Sequence, residues 1–260
     1  MKFLVAGWET ERDSPELVAE YKVPYLLASF LYLRNNPELL QRVAPFKRFL
    51  MLDSGAHTYQ KPSKETDWDR YVWEYAKFVS MYSNLIDEYV ELDIENKVGL
   101  EQVEKWREFL VRKTGRVPVV VWHKERGKEY WLYMVRKYPY VGFSGYVSLT
   151  EKPEIPEKNF AWFITRAHEH GAKVHGFGLS RLPILLKYPF DSVDSTSWKQ
   201  MAVNGTRIYF RNGKIIRVRE NARTRERYRK RLRLNMLEAL KMQQYLEEYW
   251  EQKKRKGVVG

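Results

Sequence analysis

The chain has 260 residues, 44% of them hydrophobic and 30% charged, with a net charge of +13 and no cysteine. That length suits one large domain with an appendage, or two small ones, and the missing cysteine excludes disulfides, thiolate catalysis and cysteine-ligated zinc or iron–sulfur centres. The longest apolar stretch, Val23 to Leu33, falls short of the ~20 residues that span a bilayer and is followed by Arg34, so no membrane partner is expected.

Taken in chain order, short apolar, β-branched or aromatic runs alternate with helical or loop segments. The start, Met1 to Gly7, reads as a buried strand and not as a signal peptide. Eight runs have strand character: Lys2–Trp8, Pro24–Phe30, Arg48–Asp53, Glu88–Ile94, Val117–His123, Tyr140–Ser144, Lys173–Leu179 and Ser192–Trp198. Between them apolar residues recur at helical spacing, as in Trp68, Val72, Tyr75, Ala76 and Val79, with Asp67 in place to cap that helix. Near-continuous apolar strands alternating with helices predict a parallel sheet covered on both faces. Eight of them predict a closed (β/α)8 TIM-type barrel over residues 1–200, with an open doubly wound sheet as the alternative.

Residues 201–260 follow a different pattern. Two β-rich arms flank Asn212-Gly213, a pair suited to a tight hairpin turn. A long charged helix follows, from Thr224 to Lys254, with Met236, Ala239, Met242, Leu246, Tyr249 and Trp250 along one side. That stripe is expected to dock on the barrel and leave the arginine-rich first turns exposed. Residues 217–233 hold Arg217, Arg219, Arg223, Arg225, Arg227, Arg229, Lys230, Arg231 and Arg233 against Glu220 and Glu226. Such a block attracts polyanions by releasing their condensed counterions, so these nine are the expected phosphate contacts.

Several strand ends carry small or polar residues where a buried strand would stay apolar. They are Asp53-Ser54-Gly55-Ala56-His57, Glu91-Leu92-Asp93, His123, Gly142-Phe143-Ser144, His175-Gly176-Phe177-Gly178 and Asp191-Ser192-Val193-Asp194. In a barrel these ends converge on the face where catalysis occurs. Singly, each Asp reads as a helix cap and each His as a satisfied half-buried residue; together they indicate carboxylate chemistry. The five histidines lack metal-site spacing, since His168 and His170 stand two apart on a helix and face different ways. Neither a metal nor a redox cofactor is expected.

Those ordered motifs carry a resemblance. Leu52-Asp53-Ser54-Gly55-Ala56, Glu91-Leu92-Asp93, Val141-Gly142, Gly176-Phe177-Gly178 and Asp191-Ser192-Val193-Asp194-Ser195 resemble, in the same order, segments of the queuine and archaeosine tRNA-guanine transglycosylases. Gly205 to Arg223, with Asn221-Ala222-Arg223, is similar to that family's closing hairpin. The likeness therefore runs from about residue 48 to residue 223.

Four departures stand out. The chain has no cysteine for the family's zinc subdomain, Ala56 replaces a glycine, His57 an aromatic residue, and Thr196-Ser197-Trp198 a Pro-Thr-Arg. Asp-Ser-Thr-Ser-Trp after His-Gly-Phe-Gly looks more like the branch of bacteria and phages that exchanges guanine in DNA for a 7-deazaguanine. The resemblance implies Asp194 as nucleophile, with Asp191 as its rival, and Asp53 as general acid/base. Asp93 would read the guanine edge, and Ser54, Gly55, His57, His123, Gly142, His175 and Gly176 would line the base site.

The expected partners are nucleic acid, with DNA ahead of tRNA, and a free 7-deazaguanine-type base. The expected location is the cytoplasm, or the host cytoplasm for a phage protein. Alternatives are a tRNA-guanine transglycosylase without the zinc subdomain, a glycosidase or nucleotide hydrolase on the same barrel, and a non-catalytic nucleic-acid-binding barrel. Helper proteins and self-assembly are left open by the sequence.

Overall fold

The computed structural model describes residues 1–10, 13–56, 66–144, 156–220 and 224–257. Eight parallel strands form the sheet: β1 (Lys2–Val5), β2 (Tyr25–Ser29), β3 (Phe49–Asp53), β4 (Glu88–Tyr89), β5 (Val120–Trp122), β6 (Tyr140–Ser144), β7 (Lys173–Phe177) and β8 (Ser192–Ser195). Their order in space is β4-β3-β2-β1-β8-β7-β6-β5. A parallel bridge between Val90 and Val119 joins the two ends of that order. The eight runs read from the sequence are thus the eight staves of a (β/α)8 barrel.

Helices follow the strands in turn. α1 (Ser14–Glu20) follows β1, while α2 (Phe30–Leu33) and α3 (Glu38–Val43) follow β2. α4 (Trp68–Met81) follows β3, and α5 (Glu95–Val98) and α6 (Leu100–Thr114) follow β4. α7 (Gly127–Lys137), α8 (Phe160–Glu169), α9 (Leu182–Lys187) and α10 (Ser197–Val203) follow β5 to β8. Asp67 caps α4 by accepting the Arg70 N–H at 3.0 Å, as its spacing predicts. On the buried face of that helix the Tyr75 hydroxyl lies 3.0 Å from the Leu52 carbonyl and 2.8 Å from that of Val90, binding helix to strand ends.

The seam between β4 and β5 is narrow in backbone pairing and is reinforced by a side chain. Glu91 accepts the Val121 N–H at 2.8 Å and the Arg107 Nε–H of α6 at 2.5 Å, all fully buried. A buried carboxylate without partners would cost several kcal/mol, roughly, so this acid is tied to its arginine. The barrel interior is filled by Leu4, Ala6, Tyr25, Leu27, Met51, Val90, Val119, Val121 and Tyr140. Two larger apolar clusters lie between strands and helices.

Beyond α10, β9 (Thr206–Arg211) and β10 (Lys214–Arg219) pair antiparallel around Asn212-Gly213. Both turn residues have positive φ, 49° and 70°, the conformation that such a turn requires. α11 (Arg225–Arg255) packs Met236, Ala239, Met242, Leu246 and Trp250 inward along β1. Side chains of α11 hold the hairpin: Asn235 Oδ1 accepts the Ile208 N–H at 2.9 Å and Glu238 Oε2 the Phe210 N–H at 2.6 Å. Among the described residues no helix is long and apolar enough to cross a membrane.

Strands end short of the sequence runs: β1 stops at Val5 rather than Trp8, β4 at Tyr89 rather than Ile94, and β8 at Ser195 rather than Trp198. The Ser195 hydroxyl accepts the Ser197 N–H at 3.0 Å and so ends the strand by starting α10.

Candidate active site

Because the strands are parallel, their last residues share one rim. Asp53 ends β3, Asp93 and His123 lie just beyond β4 and β5, and Asp194 stands in the upper half of β8. The structure brings these four side chains to the C-terminal mouth. Burial pushes the Asp53 carboxyl up to about 7; hydrogen bonds from the Gly55 and Ser54 N–H groups oppose this, while repulsion from Asp93 and Asp194 adds to it. The Gly55 N–H donates to Asp53 Oδ2 at 2.9 Å. Gly55 itself has φ +73°, and a Cβ there would lie 2.5 Å from Ser29 Oγ and 2.7 Å from Leu31 Cβ. The motif therefore needs glycine both for its backbone conformation and for its close approach to the β2–α2 turn.

Asp194 is held from behind. His175 Nε2 lies 3.3 Å from Asp194 Oδ1, and the Gly178 N–H donates to the same oxygen at 2.8 Å. His175 Nδ1 meets the Ser192 hydroxyl, which in turn meets the Tyr140 hydroxyl at 2.5 Å. This chain of polar groups crosses the barrel interior through three strands and fixes one oxygen of Asp194, so its orientation is set before any substrate arrives. Asp93 Oδ1 bonds His123 Nε2, giving a second oriented carboxylate on the opposite arc.

Not every expected contact reaches the mouth. Asp191, the rival nucleophile, precedes β8 at the opposite, N-terminal rim. There its carboxylate sits 3.0 Å from His168 Nε2 and accepts the Val174 N–H at 2.8 Å. Burial would raise its pKa, but these bonds and the His168 ring hold it below the ordinary value. Three residues of extended strand separate the two aspartates by about 10 Å, so Asp191 plays a structural part.

His175 is fully buried, and so positions Asp194 instead of lining a base site. Gly176 faces outward, where a Cβ would meet Leu179 and Phe190 under the helices. Gly142 faces inward, but a Cβ there would lie 2.6 Å from the Phe177 ring, which already covers that position. Ser54 is 1% exposed and its carbonyl accepts the Tyr71 hydroxyl at 2.6 Å, so with Gly55 it shapes the Asp53 turn. His57 and Arg223 lie outside the described residues.

The phosphate block is also divided. Arg231 is 2% exposed and bonds the Ala202 carbonyl and Glu220, a structural role that removes it from the surface. Arg229 forms a two-bond ion pair with Asp13, at 2.7 and 3.0 Å, and Arg233 pairs with Glu20 at 2.5 Å. Arg217, Arg219, Arg225, Arg227 and Lys230 make no ion pair among the described residues.

Glu9 is an addition that the sequence reading missed. It follows β1 at the same rim, is 8% exposed, and accepts the Ser29 N–H on Oε1 at 3.0 Å. Burial raises its carboxyl to about 7; the hydrogen bonds from Glu9 and Ser29 backbone and the charge of Lys199 oppose the shift. The available signal was an acid directly after an apolar strand, at the end where Asp53 and Asp93 also stand. Among the described residues, no three His, Asp or Glu side chains converge as a metal-binding set.

No family model matches the sequence, and no curated protein matches it. Similar solved structures exist. A chain assigned as a fructose-1,6-biphosphate aldolase from Coccidioides immitis is 10% identical, with a TM-score of 0.53 over 94% of this chain and 88% of that one. QR15, described as an aldolase, is 12% identical with a TM-score of 0.48, covering 75% of this chain and 89% of its own. At these identities the first likeness bears on the barrel fold alone.

Proposed function

We infer that this barrel is a base-exchange transglycosylase, replacing guanine in DNA with a 7-deazaguanine base through a covalent aspartyl–sugar intermediate. The observation that carries this reading is the pairing of Asp194, anchored through one oxygen by His175 and Gly178, with Asp53, whose carboxyl titrates near neutrality at the same mouth.

The reaction needs two displacements at C1′ of the target nucleotide. In the first, a carboxylate oxygen of Asp194 forms a bond to C1′ as the C1′–N9 bond breaks, and the departing guanine takes the proton of Asp53. In the second, the incoming base attacks C1′, its N–H proton passes to Asp53, and the ester to Asp194 breaks. Asp53 ends as it began, protonated. A pKa of about 7 suits a group that must both give and accept a proton near neutral pH. Asp93, turned by His123, supplies the acceptor for the adjacent N1–H and amino donors of a guanine-type edge.

The aldolase activity of the structural neighbours is not carried over. At 10% identity the likeness carries the fold and not the chemistry. The deciding experiment follows radiolabelled guanine into single-stranded DNA, duplex DNA and tRNA, with wild type and Asp194→Ala. Label entering DNA with the wild type alone supports the reading; absence of label in all three with folded protein excludes it.

A further inference from the structure

The hairpin has two faces with different surroundings. Ile208 and Phe210 turn toward α11, where Asn235, Glu238 and Tyr245 meet them. The other face carries three cross-strand rows: Arg211 opposite Lys214, Tyr209 opposite Ile216, and Arg207 opposite Val218. Ile216 is 50% exposed and Val218 44%. The Arg207 guanidinium lies 4.6 Å from the Tyr209 ring centroid and that of Arg211 at 5.9 Å. Arg207 Nε is buried and has no hydrogen-bond partner among the described residues.

Charge selects the kind of occupant. Residues 206–219 contain Arg207, Arg211, Lys214, Arg217 and Arg219 and no acid. Aliphatic and aromatic side chains interleaved with these cations match the two surfaces of an unpaired strand, flat bases and charged phosphates. A duplex offers this face only phosphates, because its bases are stacked inside. The hairpin packs on α10, the helix that follows β8, and Ser180 and Ser197, on the segments that follow β7 and β8, line one cleft together with Tyr209 and Arg217.

We propose that the outer face of the β9–β10 hairpin is a stacking platform for single-stranded DNA beside the target nucleotide, with Tyr209 and Ile216 under the bases and Arg207, Arg211 and Lys214 on the phosphates. This rests on the reading of DNA as substrate. It explains how the chain grips DNA that is locally unstacked, as removal of a base from the helix demands.

The test is fluorescence anisotropy with the full chain and a labelled single-stranded DNA oligonucleotide, its duplex, the RNA of the same sequence, and heparin as a polyanion without bases. Tyr209→Ala should weaken single-stranded DNA binding about tenfold with an unchanged salt slope, while Tyr209→Phe binds as wild type. Duplex and heparin binding should not respond to either variant. A Tyr209→Ala affinity within twofold of wild type, or tighter Tyr209-dependent binding of RNA than of DNA, overturns the proposal. Asp194→Ala run alongside separates the two claims, since it should lose exchange and keep Tyr209-dependent binding.

Discussion

Asp53 and Glu9 are two acids near one rim, and burial raises both to about 7. Their consequences for stability have a definite sign. Each folded-state pKa exceeds the value of about 4 for an unfolded carboxyl, so between pH 4 and 7 the folded protein binds more protons than the unfolded chain. Stability from these groups is fully present near pH 4 and is lost as pH rises through about 7. Glu9→Gln should therefore make urea-derived stability fall less steeply across that interval, with no change in slope below it; an unaltered slope would mean that Glu9 ionises freely.

Catalysis should follow the same group in a different way. Exchange should decline as pH rises above about 7, because guanine departure needs protonated Asp53. Asp194→Ala should lower exchange by about a thousandfold or more with folding intact, measured as label incorporated per hour.

At this scale the sequence was informative about identity and silent about direction. Asp53, Asp93 and Asp194 were legible as polar residues where a strand should be apolar. That Asp191 sits at the other rim depends on where β8 begins, and two aspartates three apart give no signal for that. Glu9 is not legible in this way, because directly after the apolar run Lys2–Trp8 an acid looks like the start of a loop.

Local geometry decides how firmly each element holds its part of the mouth. The Gly55 turn has no room for a side chain, so Gly55→Ala should cost at least about 2 kcal/mol, seen as a lower Tm, and should disturb Asp53 as well. The hairpin depends on α11 for its inner N–H groups. Asn235→Ala would remove the acceptor of the Ile208 N–H and the donor shared by the Trp198 and Thr206 carbonyls, and should destabilise by about 1–3 kcal/mol in thermal or chemical melts.

Elements were the most legible level. Eight apolar runs, the Asn-Gly hairpin, the Asp67 cap and the long amphipathic helix all follow from periodicity and turn chemistry. The seam was not legible, because a buried Glu91–Arg107 pair standing in for part of a strand ladder looks in sequence like two ordinary surface charges. Glycine roles were equally hidden, since whether a glycine faces the pocket or the helices depends on strand register. Gly176 and Gly142 differ for that reason.

Over the whole molecule, the net charge of +13 is not spread as the arginine run alone implies. Arg229, Arg231 and Arg233 join α11 to the body of the barrel, while Arg217, Arg219, Arg225, Arg227 and Lys230 make no ion pair among the described residues. Replacing Arg211 and Lys214 together by Ala should flatten the slope of log affinity against log salt by about 1–2 for single-stranded DNA. The same replacement of Arg231 should instead lower Tm.

The central claim is that this mouth exchanges bases, and the radiolabelled guanine assay tests it most directly. Wild-type protein should place label in DNA, preferentially where the strand is unpaired, and Asp194→Ala should place none. Label in neither DNA nor tRNA, or incorporation that survives Asp194→Ala, would contradict the account.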